Sequence, residues 1–251
     1  FGGLGVPPSE FAKIVAIVYI ASVLYEYLEH RFPLRPALLR IGAGVGVLAL
    51  LIVKEPDAGG ALTLAGVAAA LVFVAGLAYR WVVGALLVAP WLAYAVVITH
   101  PYQQARIAAY WDPWAHRTGD GFQVVQSLIA VGSGGIWGNG FMQGVQKMFY
   151  LPEAHNDFIY AVIAEEKGLI GTTLVLACFC VIAWRGLRAA RLAPDSFGAL
   201  LATGITVLLV AQALVNISVV INLVPAKGIA LPFVSAGGSS MAVSLAAMGI
   251  L

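Results

Sequence analysis

The stretch FGALLATGITVLLVAQALVNISVVINLV, residues Phe197–Val224, carries no Asp, Glu, Lys or Arg. A membrane-crossing helix needs about 20 mostly apolar residues, and this run supplies them without interruption. A helix at a water-facing surface would show a polar stripe on every turn; none is present here. The stretch reads as a helix embedded in lipid, and that reading governs the rest of the chain.

Six further segments have the same character: 10–28, 39–53, 60–78, 82–99, 158–184 and 239–251. Together they predict an all-α fold, a polytopic transmembrane helix bundle forming a single membrane domain over 1–251. The 251 residues are 61% hydrophobic and 10% charged, against roughly 25% charged in soluble domains. So few charges cannot coat a water-facing surface, which excludes an ordinary soluble protein. The high hydrophobicity excludes a disordered one. Two cysteines, Cys178 and Cys180, exclude a disulfide scaffold and a cysteine-based zinc cluster. The chain starts at Phe1 and ends inside an apolar run, so it is expected to be a piece of a longer protein.

The charges sort by side. Links at 26–40, 79–81 and 185–195 carry Arg31, Arg35, Arg40, Arg80, Arg185, Arg188 and Arg191 against Glu26, Glu29 and Asp195. Short basic links mark the cytoplasmic side. The opposite side holds all five lysines and nine acidic residues. Segment 100–157 falls there, too long for an ordinary connection and too rich in Trp, Tyr and apolar residues for disorder. It is expected to be a large extracytoplasmic loop folded over the outer mouth of the bundle. Its middle, Val124 to Phe141, is interrupted by Gly132, Gly134, Gly135, Gly138 and Gly140 and is expected to form a short or re-entrant helix.

Chemistry-bearing residues gather on the same outer side. In Tyr150-Leu-Pro-Glu-Ala-His-Asn-Asp157, Asp157 stands at the start of a helix, whose dipole favours negative charge. A carboxylate at a membrane–water boundary can act as a general base; a plain helix cap accounts for it equally well. Glu153, His155 and Asp157 could together bind a divalent cation, although their spacing is a weak signal. Glu165 and Glu166 lie deeper in the span, either as functional carboxylates or neutralised by Lys167. Ser9 is placed to cap the first span, with Glu10 and Lys13 three residues apart and able to pair. Lys54, Glu55 and Asp57 form a charged turn. Arg106 precedes Trp111 and Trp114, a combination that serves as a belt anchor or as a holder of phosphate or sugar. Lys147 lies just before the Asp157 motif. Lys227 precedes a small-residue turn ending in Ser239 and Ser240, a candidate anion nest. A carboxylate beside several cations suits a reaction on a phosphate-linked lipid.

These motifs resemble the SEDS family, which includes RodA and FtsW. The resemblance spans the whole chain. It rests on Pro8-Ser-Glu-Phe-Ala-Lys13, Glu55-Pro-Asp57, Trp111-Asp-Pro-Trp114, Gln126-Ser-Leu128, Gly132-Ser-Gly-Gly135 and Gln146-Lys147. It continues through Tyr150–Phe158, Glu165-Glu166, Gln212-Ala-Leu-Val-Asn216, Pro225-Ala-Lys-Gly228 and Pro232-Phe-Val-Ser-Ala-Gly-Gly-Ser-Ser240. The wording Leu151-Pro-Glu-Ala-His155 looks more like the FtsW branch. Departures fall at Glu55, where Gln is usual, at Lys167, where Leu is common, and at Ala236, where Tyr is usual.

The resemblance implies a ten-span protein, of which three N-terminal spans are missing here. It implies an inverting peptidoglycan glycosyltransferase in the bacterial cytoplasmic membrane, with its active site outside. Asp157 would be the catalytic base. Glu10, Lys13, Lys54, Asp57, Arg106, Lys147, Glu153, His155, Lys227, Ser239 and Ser240 are the candidate substrate-binding residues. The implied substrates are lipid II and the undecaprenyl-pyrophosphate-linked glycan, and the implied partner is a class B penicillin-binding protein acting with other division or elongation proteins. A divalent cation, Mg or Mn, would serve at the pyrophosphate, with no metal ligands assigned. No organic cofactor and no nucleic acid are expected. A lipid II flippase and a non-catalytic division scaffold are the alternatives.

Overall fold

A computed structural model of the protein describes residues 8–31, 33–54, 57–76, 84, 101–119, 121–146 and 155–251. The expected span 82–99 lies outside these, apart from residue 84. The described residues form helices without strands, so the all-α expectation holds. The helices are α1 (Pro8–Leu28), α2 (Leu34–Lys54), α3 (Ala58–Val74), α4 (Pro101–Trp111), α5 (Phe122–Gly134), α6 (Ile159–Leu192), α7 (Ser196–Val220) and α8 (Gly238–Ile250). Four of them, α1, α2, α6 and α7, are long and apolar enough to cross a membrane, and α3, α5 and α8 are shorter apolar helices. The chain is a multi-pass membrane protein.

Several boundaries differ from the hydropathy pattern, each for a local reason. Helix α1 begins with Pro8, whose missing N–H costs nothing at a first helical position. Ser9 therefore lies inside the first turn, buried, rather than capping it. Helix α2 starts at Leu34 and α6 runs on to Leu192, so Arg35, Arg40, Arg185, Arg188 and Arg191 are helical residues rather than links. Helix α7 stops at Val220 because Asn222 takes a left-handed conformation at φ 56°. The amides of Asn222 and Leu223 then return to the carbonyls of Val219 and Ser218 at 3.0 and 2.7 Å, a Schellman closure with Asn in the usual glycine place.

Contacts gather the chain into two compact units. One comprises Phe1–Ala85, Cys180–Ala211 and Gly238–Leu251, the other Leu86–Phe179 and Gln212–Gly237. In the first, Ala16, Ile52, Ala61 and Leu64 form a core of α1, α2 and α3. Small residues let its helices close up, as membrane helices require. Gly44 lies against the Tyr19 ring, and Gly204 against Ile17 and Leu71. Leu39, Val47, Leu50 and Leu51 of α2 face outward.

The second unit contains a break in its main helix. Gly168 sits inside α6 at φ 62°, ψ −156°, far from helical values. The ladder bonds that would join residues 165 and 166 to 169 and 170 are replaced by bonds to the turn after α5. The amide of Leu169 donates to Gly135 O at 2.9 Å and that of Ile170 to Ile136 O at 3.4 Å. In return, Asn139 N–H donates to Glu165 O at 2.9 Å and Gly140 N–H to Glu166 O at 3.2 Å. The glycine-rich interruption after Gly134 is thus a turn packed into a broken helix.

This joint leaves no room for a side chain at 168. A Cβ there would stand 2.5 Å from both Gly138 N and Ile136 O, besides requiring a left-handed residue. Gly168→Ala should therefore destabilise the folded protein by roughly 1–3 kcal/mol, read as a lower melting temperature in detergent. An unchanged melting curve would contradict the joint.

Candidate active site

Asp157 lies in a turn of residues 155–158 that leads into α6. The turn is held by the loop between α7 and α8. Asn216, on the last turns of α7 and 1% exposed, donates from Nδ2 to Asp157 O and to Ile229 O, both at 2.7 Å. One amide side chain therefore fixes the main chain on either side of the site. Its Oδ1 is buried without a partner among the described residues. Ser235 works in the same way: its hydroxyl donates to Asn156 O at 2.5 Å and accepts from Leu231 N–H at 2.7 Å. Ala236 N–H completes the clasp, donating to His155 O at 2.9 Å.

The side chain of Asp157 is half-buried. Gly228 lies directly against it: an added Cβ would be 2.7 Å from Asp157 Oδ2. Beside Gly228 stand Lys227 and Ala226, and Arg106 of α4 donates from Nη1 to Ala226 O at 2.9 Å. Helix α4 is tied to the same loop at its other end. Tyr110 OH donates to Leu223 O at 3.2 Å, and Asn222 Nδ2 donates to Tyr110 O at 3.4 Å. Ser127 of α5 donates to Val220 O at 2.8 Å, anchoring the end of α7. Loop 221–237 is thereby a braced support carrying Lys227 and Gly228 to the carboxylate.

The structure brings Arg106, His155, Asp157 and Lys227 into one unit, braced by loop 221–237. Within it Arg106 supports the main chain next to Lys227, and His155 is exposed with its carbonyl engaged. Glu10, Lys13, Asp57, Ser239 and Ser240 belong to the other unit. There Lys13 Nζ donates to Glu10 Oε1 at 2.6 Å with its side chain only 3% exposed, so the expected pair forms in a buried setting. Asp57 caps α3, accepting from Gly60 N–H at 2.7 Å. Ser239 and Ser240 sit in the first turn of α8. Lys147, Glu153 and the side chain of Lys54 lie outside the described residues. Among the described residues no three His, Cys, Asp or Glu side chains converge as metal ligands.

Asn216, Ser235 and Gly228 carry the site without having been singled out as site residues in the sequence. The available signal was an Asn inside an otherwise apolar span, a costly placement that needs partners. Asn216→Leu keeps the branched shape but takes the donor away from two carbonyls, one of them in a buried bond. It should cost roughly 1–3 kcal/mol of stability, measurable as a fall in melting temperature; a wild-type melting curve would show that the clasp is dispensable.

Comparison with known proteins agrees across the whole chain. The cell cycle protein family of FtsW, RodA and SpoVE matches residues 1–251. The chain is 44% identical over 251 residues to a probable peptidoglycan glycosyltransferase FtsW of Geobacter metallireducens, covering 100% of this chain and 67% of that protein. Among solved structures it resembles a chain of a peptidoglycan synthase complex that coordinates polymerization and crosslinking. That match has 30% identity and a TM-score of 0.74, covering 100% of this chain and 70% of the other. It also resembles the rod shape determining protein RodA of Thermus thermophilus, at 26% identity and a TM-score of 0.61, over 97% of this chain and 63% of that one.

Proposed function

The chain belongs to the FtsW/RodA/SpoVE family of cell cycle proteins, and from that premise we propose that it is the polymerising part of a peptidoglycan glycosyltransferase acting on lipid II. The observation that carries the assignment is the Asp157 carboxylate, half-buried at a helix start and set against Gly228 on a braced loop. Asp157 takes the proton from the sugar 4-hydroxyl of an incoming lipid II. The oxygen attacks the anomeric carbon of the lipid-linked strand from the face opposite the pyrophosphate. The new glycosidic bond forms as the bond to undecaprenyl pyrophosphate breaks, with inversion. The Asn216 and Ser235 clasps hold the main chain on both sides of the base, which is the positioning that such a displacement needs.

Charge develops on the leaving pyrophosphate, and a fixed cation nearby stabilises it. Lys227 is the cation on the loop that meets Asp157. Arg106 supports it through Ala226 O. Glu10, Lys13, Asp57, Ser239 and Ser240, with Lys54, Lys147, Glu153 and His155, remain candidates for holding sugar and phosphate groups. A magnesium or manganese ion would be carried on the substrate's phosphates, because Mg is commonly held by one or two carboxylates plus phosphate oxygens; it would supply charge neutralisation there. The reaction takes place on the extracytoplasmic side, where the lysines gather. A class B penicillin-binding protein would cross-link the product.

Asp157→Asn should abolish polymer formation from purified lipid II in a gel assay while leaving folding intact. Near-normal polymer would overturn the assignment and favour lipid flipping or scaffolding instead. A subtler variant tests the geometry. Gly228 is not left-handed, so Ala is conformationally permitted, and the three atoms nearest to its methyl all belong to the movable end of Asp157. Gly228→Ala should keep the wild-type melting temperature yet lower turnover at least about 10-fold, since a displacement near 1 Å at a reacting group costs on the order of 100-fold.

A further inference from the structure

A buried carboxylate lies about two turns beyond the half-buried Asp157, and the reaction above does not use it. Glu165 is 2% exposed. Its Oε1 accepts from Val145 N–H at 2.8 Å, and both of its oxygens lie 3.3 Å from the donating Gln146 N. Gly144 packs on the same group, where an added Cβ would be 2.8 Å from Glu165 Oε2. Lys167, the cation two residues on, lies instead over the Phe141 ring at 4.5 Å from its centroid. Among the described residues the Glu165 carboxylate is therefore met by main-chain amides rather than by Lys167. Amides that point at a carboxylate are strong, charge-assisted donors.

The consequence lies in what these amides belong to. Residues 144–146 follow α5, and Asp157 stands in the turn of residues 155–158 that leads into α6. Residues 155–157 are clasped by Asn216, Ser235 and Ala236, and residues 145 and 146 by Glu165. Both Glu165 and Asp157 belong to the piece of chain that ends at the Gly168 break. We propose that Glu165 is a positioning residue for Asp157: it pins residues 145 and 146 onto the short helical segment that Asp157 leads into. Residues 145 and 146 and the turn that holds the base then move as one body. The inference rests on the glycosyltransferase reading given above.

Two variants of the full-length protein in nanodiscs test it. Glu165→Gln replaces an acceptor oxygen with a donor facing N–H groups, and Gly144→Ala leaves Glu165 in place but displaces its carboxylate. Both should lower kcat for lipid II polymerisation by roughly 10- to 100-fold, the loss expected for a hydrogen bond to a charged group, with KM within about 2-fold. Glu165→Asp keeps two acceptors and should recover part of the loss. Amide exchange should accelerate at Val145 and Gln146 and stay unchanged along α7. Wild-type kcat in both variants, beside an inactive Asp157→Asn control, overturns this inference alone. An active Asp157→Asn overturns the catalytic reading and this inference with it. If exchange accelerates while kcat per folded molecule holds, Glu165 is merely structural and the inference also falls.

Discussion

A main-chain amide or carbonyl shut away from water must find a partner, so a helix that breaks inside the protein needs other groups to meet its open ends. At Gly168 this constraint is met by an exchange of four hydrogen bonds with the turn at 135–140. Two carbonyls of Glu165 and Glu166 accept from the turn, and two amides of Leu169 and Ile170 donate to it. The first part of α6 is thereby freed from the direction of the rest of the helix. It is this short piece that carries Glu165, and Asp157 stands just before it.

The neighbourhood of Asp157 follows the same logic. Its supports are mostly side chains reaching main-chain carbonyls: Asn216, Ser235, Arg106, Tyr110 and Ser127. In a low-dielectric surrounding such bonds are strong and an unmade one is costly. The loop after α7 can therefore be irregular without being loose. Asn222 starts it with a left-handed turn that a glycine would otherwise supply. Asp157 and Lys227 are thus presented by braced segments of backbone.

The fold class was legible in the sequence because hydropathy is a one-dimensional signal, and runs such as 197–224 leave no alternative. Helix ends were less legible. A hydropathy window closes where arginines begin, but helices α2 and α6 continue through Arg35, Arg40, Arg185, Arg188 and Arg191, whose long side chains can carry their charge to the interface. The motif at Asp157 was legible as a carboxylate at a helix start, and sorting charges by side grouped it with Arg106 and Lys227. The clasp was not. Bonds from Asn216 and Ser235 to carbonyls place no demand on the identity of residues 156, 157 or 229, so no spacing pattern records them. Gly168 was hidden for a related reason: it reads as one glycine among many until its partner turn, some thirty residues earlier in the chain, is in view.

The order of those two pieces along the chain also bears on how the protein is made. Synthesis proceeds from the N-terminus, so the turn at 135–140 emerges before residues 165–170 that it completes. The filler precedes the gap. When the interrupted helix leaves the ribosome, the groups that will satisfy its four open positions have already been delivered to the membrane, and the break can close as it enters.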